Sequence, residues 1–451
     1  MKTSTIFCGG YLCSLLFYKK ETAQRAVFTF LLIFGFTLIA CNNDKNNDGS
    51  DFLQYWSSNN PYEIEFAEYI VGEWNRLNTE KKVFSQPVPE GRSSEEVILA
   101  AVVGKTTPDI YSNMWQGDVE FFARSGTLIP LDTLDGFLET LYQRCDSSVI
   151  DEITSADGHI YQIPWKINPI MLIYNVNLFK SVGYKKPPQT YSQFLDAGEK
   201  LHQDLDGDGY VDLWVGYSSI LADWWQRFFD FYSLYLGASN GGKLIDQGKV
   251  VFNNQSAIAV FRFLQEVYKK GYFTKELLSA RQDVFIEGFI ASRFVGPWEV
   301  IHAEKFKKEG FDYHFRELPV PDSHSGPVYT YGDPKNIVIF NTCKNPQKAW
   351  NFLRYLISEE NDFKLLEITT QLPRRKKLIK IKQFADYFEK NPKLKPFAIQ
   401  AEHVRGTDVC AQLKEIFDVI SQEYEACVIY DTKTPEEAIN DAAEAAQVIL
   451  N

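Results

Sequence analysis

The sequence predicts an α/β protein large enough for two lobes, on three observations. From Asp51 onward, strand-like and helix-like segments alternate, as they do where helices cover a sheet. At 451 residues the chain exceeds what one hydrophobic core usually organises. Apolar residues make up 45% against 24% charged, which is a globular and not a disordered balance.

The elements follow in order. Phe52 to Trp56 reads as a short buried strand, and Ser57-Ser58-Asn59-Asn60 as the polar loop at its carboxyl end. In open α/β sheets, ligands sit at such loops. Phe66, Ile70 and Trp74 fall at helical spacing within Pro61 to Leu77. A strand over Val83 to Val88, a helix over Ser93 to Val103 and the turn at Lys105 to Pro108 lead into Asp109-Ile110-Tyr111. The stretch Gly104-Lys105-Thr106 is no phosphate-binding loop, since the first glycine of that motif would fall at Leu99. A second block has a continuous apolar strand over Ile170 to Asn175 and a short helix over Leu178 to Gly183. The rigid turn Lys185 to Pro188 precedes an amphipathic helix that starts on Thr190 as its N-cap. Thr434-Pro435-Glu436-Glu437 is a capping box with Pro at the first helical position, and it opens an Ala-rich closing helix.

The N-terminus reads as an address. The apolar run Ala26 to Ala40 follows Lys19, Lys20 and Arg25, and it is shorter than the span of about 20 residues a membrane helix needs. Leu38-Ile39-Ala40-Cys41 looks like a bacterial lipobox, in which the Cys41 thiol takes a diacylglycerol. Residues 1–40 are thus expected as a signal peptide and 41–50 as the lipidated cysteine with a polar tether. The alternative is an uncleaved anchor helix. Beyond the leader and Cys41 the remaining cysteines are Cys145, Cys343, Cys410 and Cys427, which leaves disulfides and buried free thiols both open.

A net charge of −12 excludes a nucleic-acid binder, which needs a basic surface. The one dense basic run, Arg374-Arg375-Lys376-Lys377, reads as a solvated loop or helix start. Six scattered histidines and no HExxH leave no metalloprotease motif. An acid pair of the glycosidase kind stays open on composition, so an exported carbohydrate-active enzyme is the first rival reading. A solute-sensing lipoprotein without a transporter is the second.

Four stretches carry a family resemblance: Thr107 to Tyr111 with Ala123 to Asp132; Asp157 to Trp165 with Leu172 to Asn175; Phe285 to Gly288 with Gly296 to Glu299; and Lys344 to Trp350 with Phe352-Leu353. In this order they resemble the extracellular solute-binding proteins of family 1, the maltose-binding-protein-like group, over residues 51–451. The resemblance implies the two-lobed, type II periplasmic-binding-protein fold, with hinge strands and a ligand cleft between the lobes. Lobe one is expected over 51–166 plus 331–373, and lobe two over 167–330 plus 374–451. The implied function is the solute-binding component of an ABC importer, which captures a sugar or oligosaccharide by hinge closure and passes it to membrane permease subunits. No catalysis and no required cofactor are implied, and the protein is expected as a monomer on the periplasm-facing cell membrane.

Sugars offer C–H faces that stack on rings and hydroxyls that need paired hydrogen bonds. The positions matching the family's ligand loops have that mixture: Ser58 and Asn59; Asn113, Trp115 and Asp118; Trp165, Lys166 and Asn168 at the first crossing; Trp224 and Trp225; Trp298 and Glu299; Tyr331 and Asp333 at the second crossing. Core packing is the alternative for each ring, and of Trp224 and Trp225 one is expected in the cleft and the other buried. Separately, Asp204, Asp206, Asp208, Tyr210 and Asp212 match the start of an EF-hand-type loop and suggest a structural calcium, although position 12 is Val215 where a bidentate Glu belongs.

Overall fold

The computed structural model describes residues 52–451, apart from Lys81, Arg92, Leu277 and 279–282. The expectations for residues 1–50, Cys41 included, lie outside the described residues. The strands are β1 (Leu53–Ser57), β2 (Val83–Pro87), β3 (Ile110–Trp115), β4 (Ile163–Ile167), β5 (Met171–Asn175), β6 (Ile245–Asp246), β7 (Lys249–Val250), β8 (Ser292–Val295), β9 (Tyr313–Arg316), β10 (Thr330–Tyr331), β11 (Lys335–Ile339), β12 (Leu372–Pro373) and β13 (Val404–Arg405).

Six of these strands form one sheet in the order β12-β4-β11-β3-β1-β2. β1, β2 and β3 run parallel, and β11 inserts antiparallel between β3 and β4. A second sheet, β8-β5-β9, is antiparallel throughout. The protein is therefore a mixed α/β fold of two lobes, one around each sheet. The chain leaves the first sheet after β4, builds the second, and returns through β10 to β11. The crossing backbones lie side by side: Ile170 N donates to Tyr331 O at 2.9 Å, and Gly332 N to Arg405 O at 2.9 Å. β10 pairs with β13 there.

Local sequence sets the helix ends. Asn60 accepts from Tyr62 N and Glu63 N to start the helix Pro61–Leu77, and Ser93 accepts from Glu96 N to start Ser94–Gly104. Thr190 and Thr434 cap their helices as the sequence predicts, the latter in a full capping box. Each such cap contributes about 1 kcal/mol. Several boundaries differ from expectation by one or two residues, those of β1 and of the short helix Val176–Ser181 among them. β1 runs Leu53–Ser57, shifted by one residue, because its ladder with β2 extends from Leu53 opposite Val83 to Ser57 opposite Pro87. The short helix starts at Val176 because the Asn175 side chain accepts from Asn177 N and Leu178 N.

Tyr55, Phe66, Ile70, Trp165, Trp350 and Phe352 lie in the core of the first lobe. Phe194, Phe231, Phe261, Phe417, Tyr424 and Ile439 lie in the largest core of the second, and Trp115 and Tyr331 join it. Cys145, Cys343, Cys410 and Cys427 are free, buried thiols. The basic run is less solvated than expected. Arg375 Nε donates to buried Asp362 at 2.7 Å, and Lys376 Nζ to Tyr142 O at 2.9 Å, so both long side chains hold structure.

Candidate functional site

A cavity of about 500 Å³ opens where the lobes face each other. From the first lobe come Ser93, Glu95 and Glu96, at the start of the helix Ser94–Gly104, and Trp115 at the end of β3. From the second come Asp223, Trp224, Trp225, Phe228 and Phe229, and from the second crossing Tyr331, Asp333 and Lys335. Among the sequence-predicted residues, Trp115, Trp224, Trp225, Tyr331 and Asp333 line it.

The aromatic wall is continuous across the lobes. Trp115 and Trp224 ring centroids lie 5.0 Å apart at 43°, and Phe228 stands edge-on to Trp115 at 5.2 Å. Trp115 Nε1 donates to Tyr331 Oη at 2.8 Å, and Tyr331 Oη in turn donates to Asp333 at 3.3 Å. The Trp115 ring lies over Gly117, where a Cβ would stand 2.3 Å from the ring. The expectation that one of Trp224 and Trp225 is buried is corrected. Both line the cavity, and Trp225 is 44% exposed, because the two rings precede the π-helix Phe228–Tyr232, whose Phe228, Phe231 and Tyr232 enter the core in their place. Buried Arg227 fixes that segment: its guanidinium reaches Asp230 at 3.1 Å and lies 3.7 Å from the Tyr424 ring centroid.

Other predicted residues stand elsewhere. Trp165 is a core residue and not a cleft platform: β4 is covered on both faces, and the ring packs on Phe66. Lys166 is fully buried and donates to Glu63 at 2.6 Å and to Asn113 at 3.3 Å. Burial pushes its ammonium below the ordinary lysine value while the Glu63 carboxylate opposes that. Gln371 bonds both Glu63 and Asn168, so Asn113, Lys166 and Asn168 belong to one buried polar network. Ser58 is buried, with its Oγ accepting from Asn60 N, and Asn59 is exposed; neither lines the cavity. Asp118 is buried against Lys414 at 2.7 Å. Trp298 packs edge-on to Phe229, one ring behind the wall, and Glu299 is buried in an ion pair with Arg293 at 2.5 Å.

The structure adds Glu95, Glu96, Asp223, Phe228, Phe229 and Lys335 to the wall. A signal for part of this set was present: residues 223–232, DWWQRFFDFY, hold six aromatics in ten positions. A second cavity of about 540 Å³ is lined by Cys145, Glu152, Arg374 and Arg405 among others and offers no tryptophan platform.

Two clusters have cation-ligand chemistry. Asp204, Asp206 and Asp208 are exposed, with carboxylate oxygens within 4.8 Å of one another. Asp204 accepts from Gly207 N and Gly209 N, which pulls its carboxyl below the usual range. Tyr210 stands at the sequence position from which the loop pattern takes a backbone carbonyl, and Asp212 accepts from Leu205 N. In the second cluster, Asp283, Glu299 and His302, the Arg293 guanidinium already pairs with both carboxylates.

The model of bacterial extracellular solute-binding proteins matches residues 88–396. The chain belongs to that family. The maltodextrin-binding protein MdxE of Bacillus subtilis (strain 168) is 26% identical to this solute-binding protein over 351 residues, which is 74% of this chain and 77% of the relative. A crystal structure of an uncharacterized protein from Listeria monocytogenes EGD-e matches at TM-score 0.77 and 27% identity, over 89% of this chain and 100% of that one. The cyclic alpha-maltosyl-1,6-maltose binding protein from Arthrobacter globiformis shares the fold at TM-score 0.73 and 19% identity, over 88% of this chain and 98% of that one. Among the described residues, no helix is long and apolar enough to cross a membrane.

Proposed function

We propose that this solute-binding protein captures a sugar or oligosaccharide between its lobes and hands it to the permease of an ABC importer, without turning it over. The observation that carries the reading is the interlobe cavity, where Trp224 and Trp225 offer ring surface backed by the buried Trp115, beside carboxylate acceptors. Apolar ring faces take the C–H side of a pyranose, and the acceptors take its hydroxyls. A ligand touching both lobes binds the closed state preferentially, so capture and closure are one event. The names of the maltodextrin-binding and cyclic-maltosyl-maltose-binding relatives support a saccharide. The proposal includes the lobe boundaries at 166/167, 330/331 and 373/374, and a monomer tethered through lipidated Cys41 on the periplasm-facing membrane.

The test is a thermal-shift screen of mono- and oligosaccharides, with calorimetry on each hit and product analysis of the same mixtures. Binding without products is the expected result. No binder in a broad panel, or cleavage of a hit, defeats the proposal. Cys41→Ser should move the protein from the membrane to the soluble fraction.

A further inference from the structure

The cavity wall is rich in carboxylates. Glu95, Glu96, Asp223 and Asp333 face it, and among its described lining residues Lys335 is the one cation. That cation is already engaged: its ammonium stands 3.6 Å from Asp333, and the carboxylates of Asp333, Glu95, Asp118 and Glu63 all favour its charged form. The two neighbouring lysines are engaged as well. Lys166 is sealed against Glu63, and Lys414 pairs with Asp118 while lying over the Trp115 and Trp224 rings. No arginine lines the cavity among the described residues. An anionic ligand would therefore bring its charge against several carboxylates, with no free cation among the described lining residues to meet it. Like charge placed in a partly desolvated site is a strong basis for rejection. An ammonium on the ligand would meet the opposite field, and the tryptophan faces would favour it further.

We propose that this cleft sorts saccharides by charge, accepting uncharged and amino-substituted sugars and rejecting uronic acids and sugar phosphates. The inference rests on the sugar reading above and makes Glu95, Glu96 and Asp223 specificity-determining residues that sequence matching did not single out.

The experiment is calorimetry on the full chain with matched sets: oligomers of glucose, of glucosamine and of glucuronic acid, and a glucose phosphate, at low and high salt. The expected result is that the amino sugar binds at least as tightly as the neutral one, and the acidic forms at least about tenfold more weakly, a difference of about 1.4 kcal/mol. Salt should narrow the gap, since screening weakens exposed charges first. In the doubly substituted Glu95→Gln, Glu96→Gln protein the ratio of neutral to acidic affinity should fall toward one, whatever its absolute affinity for the neutral sugar, and an unchanged ratio would remove these two residues from the charge filter. A uronate or phosphate that binds as tightly as its neutral counterpart overturns the charge-sorting inference and leaves the sugar reading intact. Failure of every member of every set, together with no binder in the broad saccharide panel, overturns the sugar reading itself, and the inference with it.

Discussion

Lys414 of the second lobe and Asp118 of the first form a 2.7 Å ion pair across the gap between the lobes. The same lysine lies 5.8 Å from the Trp115 ring centroid and 5.4 Å from that of Trp224, so the charged link and the aromatic link are one contact region. Opening the lobes must break both. Burial pushes the Asp118 carboxyl up, and the Lys414 ammonium opposes that without cancelling it.

The first prediction is the sign of a pH effect. A carboxyl whose value is raised in the folded protein takes up a proton more readily there than in the unfolded chain. Its contribution to stability is therefore greatest in acid and declines as pH climbs from the ordinary carboxylate value, near 4, through the raised one. Asp118→Asn should flatten that part of the melting-temperature profile. The Lys414→Met protein, with Asp118 left buried and unpaired, should steepen it. Identical profiles for wild type and Asp118→Asn would remove Asp118 from this role.

The second prediction ranks the tryptophans. Trp224 lines the cavity and packs tilted against Trp115, whereas Trp298 stands behind Phe229. Trp224→Ala should weaken saccharide binding by about tenfold or more. Trp298→Ala should have a smaller effect, transmitted through Phe229. Calorimetry on both variants, with circular dichroism to confirm folding, checks the order. A larger loss for Trp298→Ala would return that ring to the binding wall.

What was legible in the sequence follows the range of the interaction. The caps at Thr190 and Thr434 depend on residues within one helical turn and could be read directly. The cavity-lining role of Trp115 and Tyr331 came from matching stretches in the right order, and their mutual hydrogen bond spans 216 residues. The misplaced residues share a cause. Trp165 and Lys166 sit at the matching crossing, but whether a side chain points into the cleft or into a lobe depends on partners such as Phe66 and Glu63, about a hundred residues away. Glu95 and Glu96 looked like ordinary first-turn acids of a helix, since nothing local shows what that helix end faces.

The third prediction separates packing from ligand contact at Lys166. With Lys166 removed, Glu63 stays buried and keeps Gln371 as its side-chain partner, and breaking such a pair from one side costs about 3–5 kcal/mol. Lys166→Met should lower the urea midpoint strongly, and adding Glu63→Gln should recover much of the loss. The saccharide affinity of the folded double variant should stay close to wild type. A Lys166→Met protein with an unchanged midpoint and lost binding would assign the lysine to the ligand instead.

The fourth prediction concerns the aspartate loop. Asp204, Asp206 and Asp208 bring carboxylates together, yet backbone N–H groups already occupy much of their accepting capacity: Gly207 and Gly209 on Asp204, Asp208 on Asp206, and Tyr210 on Asp208. The loop thus holds its shape by its own hydrogen bonds. The residue in the place of the bidentate glutamate is Val215, which is fully buried and has no side-chain oxygen. Calcium binding at this site should therefore be weak, in the range of about 10⁻⁴–10⁻³ M found for extracellular modules. Millimolar calcium should raise the melting temperature slightly, and Asp206→Ala should abolish the increment without lowering the melting temperature in chelator. Micromolar binding by calorimetry would mean that a further acid completes the shell. No heat and no shift at millimolar calcium would reduce the loop to a hydrogen-bonded turn.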